Sequence, residues 1–158
     1  MKKYFIITGF VLIIYACGSQ TQNKESESTP SGDLFNEKGN PTYDPNRGEG
    51  KFTTVDLPAE INNQMAEDGK TKVFDIKCSA CHKLTDEKLV GPGWKGVTSR
   101  NTPVWIMNFI TNTDDMLTKD PKAQAQLEIC LVRMPNQNLS DEDARNVLEF
   151  MRKNDAGK

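Results

Sequence analysis

Apolar residues along this chain come in three regimes. They crowd residues 4–15, a nearly unbroken run behind the short basic segment Met1-Lys2-Lys3. Between about residues 18 and 50 they almost vanish, and Ser, Thr, Gln, Asn, Glu, Lys, Gly and Pro take over. Over residues 51–158 they return at helical spacing, which predicts one small, all-α domain with a single core. Within it, Asp56 with Pro58 predicts a helix running toward Met65, and Gly69 predicts its interruption. Val73, Phe74 and Ile76 then predict a second helical stretch leading into Cys78. Thr102-Pro103 is an N-cap followed by proline at the first helical position, opening a helix over 104–110 that is apolar nearly all round and so expected to be buried. Asp120-Pro121 repeats the signal for a helix to Cys130, while the polar stretch around Asp114-Asp115-Met116 reads as a loop. Ser140 with Asp143 resembles a capping box, and Ala144, Val147, Leu148 and Met151 predict a last amphipathic helix to about Lys153.

One cluster turns this generic helical outline into specific chemistry. Cys78-Ser79-Ala80-Cys81-His82 has the C-x-x-C-H spacing of covalent c-type haem attachment. Two thiols three positions apart can add to the two vinyl groups of one haem, and the adjoining imidazole is placed to ligate its iron. Three other readings of the cluster stay open. A structural zinc site needs four Cys or His ligands, and beyond the cluster the chain offers only Cys17 and Cys130 and no second His. A thioredoxin-like pair would follow a strand, whereas residues 72–77 continue a helical pattern. A plain disulfide between Cys78 and Cys81 leaves His82 unexplained.

The first seventeen residues place this chemistry in a cell. An apolar run of about a dozen residues is too short to cross roughly 30 Å of hydrocarbon and reads as a secretory signal. Ile14-Tyr15-Ala16-Cys17 resembles a bacterial lipobox. Cys17 would then become the lipidated N-terminus, anchoring the protein to the periplasmic side of a bacterial membrane without a span. An ordinary cleaved signal with an incidental Cys is the other reading. The expected organisation is a signal peptide over 1–17, a flexible linker over 18–50 and the domain over 51–158. Such a linker has an end-to-end distance of roughly 30 Å. Alternatively, the turn formers Asn40-Pro41, Asp44-Pro45 and Arg47-Gly48-Glu49-Gly50 pack on the domain as an extended collar. A formal net charge of −2, with both signs interspersed, argues against a nucleic-acid partner. A monomer is expected.

The order C-S-A-C-H, then Gly91-Pro92, then Met134-Pro135 before Leu139-Ser140-Asp141-Glu142 and a final helix, resembles the class I monohaem cytochromes c over about residues 66–154. The resemblance implies a helical fold around one covalent haem c, with first and last helices packed together. Phe74 matches the aromatic of that helix contact, and Gly69 lies one residue from where some members carry the accompanying glycine. It implies haem held by Cys78 and Cys81 and iron ligated by His82, whose ring donates to the Pro92 carbonyl. The sixth ligand is implied to be a methionine. Met134, in a loop before Pro135 and far from His82 in sequence, is the first candidate, Met116 the second; Met107 and Met151 fall on apolar helix faces. Trp94, Arg100 and Trp105 are candidates for holding the haem propionates, the two Trp being equally readable as core.

Thioether ligation implies an electron carrier rather than an enzyme; a vacant or labile sixth site would instead suit a small peroxidase or gas binder. Lys77, Lys83, Lys88 and Lys95 flank the haem-binding stretches and could steer acidic redox partners. The run from Asp44 through Arg133-Met134-Pro135-Asn136-Gln137-Asn138 also resembles lipoprotein cytochromes found alongside nitrous oxide reductase in Bacteroidetes-type bacteria. Cys130, left without a disulfide partner, is expected to be a small buried apolar residue, or else a reactive thiol.

Overall fold

The computed structural model describes residues 43–157. The expected signal peptide, Cys17 and the linker up to residue 42 lie outside the described residues. What is described is all helix and connection, with no strand among the described residues. In chain order the helices are α1 (Asn63–Asp68), continuing directly into a π-helical stretch (Gly69–Cys78), α2 (Val97–Arg100), α3 (Pro103–Thr111), α4 (Thr113–Lys119), α5 (Pro121–Cys130) and α6 (Asp141–Asp155).

The first helix begins later than its apolar pattern suggests. Asn62, not Asp56, is the cap, its side chain accepting the N–H groups of Gln64 and Met65 at 3.1 Å. The carbonyls of Asp56, Pro58 and Ala59 are taken by α6 instead. Arg152 donates to Pro58 and Ala59, and Arg145 to Asp56. Glu149, wholly buried between these two arginines at 2.7 and 2.9 Å, keeps both cations in place. A backbone whose carbonyls are spent on another helix has no use for its own i+4 amides.

Gly69 does not break the helix. Its N–H continues the ladder to Ala66 and Met65, and the wider winding that follows is marked by the bond from Ser79 N–H to the Phe74 carbonyl. Its role is contact: a Cβ at residue 69 would stand 2.2 Å from the Asn146 carbonyl oxygen of α6. Here the two helices touch backbone to backbone. The π winding places Val73, Phe74 and Cys78 on the buried side together. Phe74 packs edge-on against Trp94 at 4.6 Å and against Phe150 of α6 at 5.4 Å. Burying a ring of this size contributes about 1.5–3 kcal/mol.

Thr102 and Asp120 cap α3 and α5 as their sequence signals imply, and Ser140 caps α6 by accepting the N–H of Asp143. The stretch read as a loop around Met116 is α4. Asp114 and Asp115 in its first turn, Lys119 in its last and the Lys119–Asp115 pair at 3.1 Å are the signals that stabilise it. Of the stretch read as linker, residues 43–50 pack on the domain, as the collar alternative has it. Fully buried Asn108 accepts the N–H of Phe52 and donates to the carbonyls of Arg47 and Phe52, while Tyr43 donates to Asp120 at 2.7 Å. The Tyr43 hydroxyl pKa is raised by burial and by that carboxylate. Turn-rich sequence looked unstructured because its partners, Asn108 and Asp120, lie more than fifty residues away.

Candidate haem site

Cys78 ends the π-helical stretch and Cys81-His82 follow it in a tight turn closed by the N–H groups of Cys81 and His82 on the Cys78 carbonyl. That turn opens on a cleft of about 300 Å³ with a second arm of about 80 Å³, the two sharing Cys81, His82, Pro92, Phe109, Gln126, Met134 and Pro135. One cleft thus gathers Cys78, Cys81, His82, Pro92, Trp94, Arg100, Trp105 and Met134, drawn from across the domain.

His82 is held by its neighbours before any iron is considered. Its Nδ1 lies 2.8 Å from the Pro92 carbonyl, which can only accept, so Nδ1 carries the proton and Nε2 is left with its lone pair for a metal. Burial lowers the imidazole pKa, the bond to Pro92 opposing it, which favours the neutral ligand form. Trp94 packs 5.9 Å from the ring on one side. Gly91 stands on another, where a Cβ would come within 2.4 Å of the imidazole. Gly91→Ala is therefore expected to swing His82 off this seat at a cost of about 1–3 kcal/mol. A lower melting temperature and a partly high-spin ferric spectrum would show it; an unchanged spectrum would mean that the glycine does not cradle the ring.

Both attachment cysteines are free thiols, Cys78 buried and Cys81 half-buried. Burial pushes the Cys78 thiol up to about 11 against the opposing pull of Lys77. Among the described residues no group of three His, Cys, Asp or Glu side chains gathers to hold a metal such as zinc.

The three propionate candidates separate. Arg100 reaches the cleft while donating to the carbonyls of Lys95 and Gly93, a fixed cation on the wall. Trp94 is buried among Phe74 and Phe150 and also borders the cleft. Trp105 stacks on Phe109 at 5.0 Å and spends its N–H on buried Asp120 at 3.2 Å, so it offers the cleft a ring face and no donor. The sequence reading missed Asn101. It is 7% exposed, its Nδ2 donates to the Val97 carbonyl, and its Oδ1 is buried beside the cleft without a partner. Only the tertiary structure orphans it; the sequence shows one more polar residue at a helix end.

Met116, the second candidate for the iron, is wholly buried in α4 and takes the N–H of Glu49 on its sulfur at 3.0 Å, away from the cleft. Met134 borders both arms. Cys130 is half-buried on the wall of the second arm rather than buried in the core, because α5 turns that face to the cleft. Three of the four flanking lysines are engaged locally: Lys77 on the Gln137 carbonyl, Lys88 on that of Ile129, and Lys83 with Glu87 at 2.8 Å.

Two free thiols, a neutral imidazole with its outer nitrogen spent, an apolar slot, a fixed cation and an orphaned amide oxygen together fit one covalently attached haem. The class is that of helical proteins built around a c-type haem. The chain belongs to the cytochrome c family, which it matches over residues 66–155. Among solved structures it is similar to a cytochrome c from Rhodothermus marinus, 33% identical with a TM-score of 0.65, covering 69% of this chain and 92% of that one. An engineered form of that cytochrome, Rma TDE, matches at 33% identity and a TM-score of 0.64, over 68% and 91% of the two chains. The same engineered protein bound to a carbene intermediate matches at 33% identity and 0.61, over the same shares. No curated protein matches the chain. It carries one covalent haem c and is, as its family implies, a haem-containing electron carrier.

Proposed function

We propose that this is a membrane-tethered monohaem cytochrome passing single electrons between respiratory-chain proteins, with a terminal reductase such as nitrous oxide reductase as one acceptor. When bound, the haem supplies an iron that alternates between ferric and ferrous. The protein's own part is to hold that iron closed. Cys78 and Cys81 would hold the macrocycle, His82 would offer Nε2 to the iron, and Met134 would offer its thioether. The observation that carries this reading is that His82, already locked on Pro92, and Met134 border one apolar cleft.

Val90 and Val132 border the second arm of that cleft, and exposed Leu89, Ile129 and Leu131 flank them in the chain. Such a rim suits brief docking of a partner, and the lysines around it would add steering to an acidic one. The decisive test is acid-organic extraction of the mature protein: haem should stay with the polypeptide, and with Cys78→Ser plus Cys81→Ser it should leave. Extraction from the unaltered protein would sink the assignment.

Attachment through lipidated Cys17 rests on the lipobox-like sequence, and among the described residues no helix is long and apolar enough to cross a membrane. Cys17→Ser should release a haem-loaded domain into the soluble periplasmic fraction. A membrane-bound Cys17→Ser protein would require another anchor.

The runner-up is a haem enzyme or gas binder with a labile sixth ligand. One observation favours it: an engineered cytochrome of this fold is known bound to a carbene intermediate. Rapid carbon monoxide binding by the unaltered ferrous protein would put that reading ahead.

A further inference from the structure

Among the described residues two acidic side chains are wholly buried, Glu149 and Asp120. Glu149 is answered by two arginines. Asp120 is answered by three neutral donors. The Ala123 N–H reaches Oδ1 at 2.7 Å, while the Tyr43 hydroxyl at 2.7 Å and the Trp105 indole N–H at 3.2 Å share Oδ2. Every partner donates, so the carboxylate form fits this site, and the proton of a carboxylic acid would find no acceptor in it. Burial and the bond to this carboxylate raise the Tyr43 pKa, which keeps the phenol proton in place as a donor. The charge is spread over hydrogen bonds but not cancelled.

Trp105 stands between that charge and the cleft. Its ring borders the cleft, its N–H is on Asp120, and its plane is held against Phe109 at 5.0 Å. The carboxylate therefore lies one indole away from the space that a haem would fill. A negative charge there favours ferric over ferrous iron, since the ferric site carries one more positive charge, and a buried charge is screened far less than an exposed one. Lys122 holds its ammonium 5.0 Å over the same indole and donates to the Arg100 carbonyl at 2.8 Å. It is only half-buried, so solvent screens it more strongly than Asp120. Tyr43 comes to this site from the collar, 77 residues away in sequence.

We infer that Asp120, set behind the Trp105 indole, is a built-in negative charge that lowers the reduction potential of the haem, and that the Tyr43 hydroxyl of the collar tempers it. The inference rests on a haem filling this cleft. Residues 43–50 are then part of the redox site and not only its covering. Asp120→Asn removes the charge and keeps a side chain able to cap α5. Tyr43→Phe keeps the ring and removes the donor, leaving the carboxylate less neutralised.

The test is a double-mutant cycle on the full-length, haem-loaded protein, read by redox titration with the spectrum as control. Asp120→Asn should raise the reduced-to-oxidised ratio at a fixed ambient potential about tenfold, the order expected of one buried charge at this remove and equal to 59 mV for one electron. Tyr43→Phe should lower the ratio about threefold, as one hydrogen bond to a charged group is lost. In an Asp120→Asn background Tyr43→Phe should change the ratio little, because the charge that it tempers is gone. The sign separates charge from packing: a loosened cleft admits water and lowers the ratio in every variant, so only loss of the negative charge raises it. Asp120→Ser, another uncharged cap, should give the same rise if the asparagine variant loads haem poorly. An unchanged or lower ratio in either Asp120 variant with a low-spin spectrum would overturn the inference and leave the haem assignment standing. So would equal effects of Tyr43→Phe in both backgrounds. Haem that extracts from the unaltered protein would overturn the haem assignment and the inference together.

Discussion

Met134→Ala is expected to open the iron. With the thioether gone, the ferric site should become high-spin or water-ligated, and carbon monoxide should bind the ferrous form rapidly. The reduction potential should fall by on the order of 0.1–0.3 V, within the range of about 0.8 V that axial ligands span. The fold should survive: Met134 lies on a loop and is only half-buried, and the covalent haem stays in place. Met116→Ala is the informative partner experiment. That side chain is wholly buried in α4, so its loss should leave a cavity costing about 2–5 kcal/mol. The melting temperature should drop while spectrum and potential stay put. If the Met116 change opens the iron and the Met134 change does not, the assignment of the sixth ligand is reversed.

Gly69→Val is expected to be the most damaging single change remote from the cleft. Its Cβ would meet the carbonyl of Asn146 at 2.2 Å and the amide nitrogen of Val147 at 2.8 Å, both backbone, so no side chain can step aside. The first helix and α6 must move apart, loosening the contact of Phe74 with Phe150. A loss of about 3 kcal/mol or more follows, the upper end of the cost of overpacking. For a domain of about a hundred residues that lowers the melting temperature by roughly 12–24 °C. Thermal unfolding of the haem-loaded variant measures it; a shift of only a few degrees would show that the two helices do not depend on backbone contact here. Because Val73, Phe74 and Cys78 lie on the buried side of the same helix, some loss of covalent haem loading should accompany the destabilisation.

The chemistry of this protein is legible in the chain because it is local. Cys78, Cys81 and His82 are consecutive enough for spacing alone to name the cofactor, and Thr102, Asp120 and Ser140 announce their helices because a cap is satisfied within three residues. Other features depended on partners distant in sequence. Residues 43–50 read as linker until Asn108 and Asp120 took up their polar groups. Helix α1 starts only after its cap Asn62 because Arg145 and Arg152, about ninety residues on, take carbonyls before it. Gly69 looked like a break because the Asn146 carbonyl that needs its missing Cβ belongs to another helix. The burial of Met116 away from the cleft, the commitment of the Trp105 N–H to Asp120, and the unpartnered Oδ1 of Asn101 beside the cleft were likewise decided by packing. Local hydrogen bonds and bond-length reach are written in sequence order; burial and orphaned polarity exist only once the helices have closed around a common space.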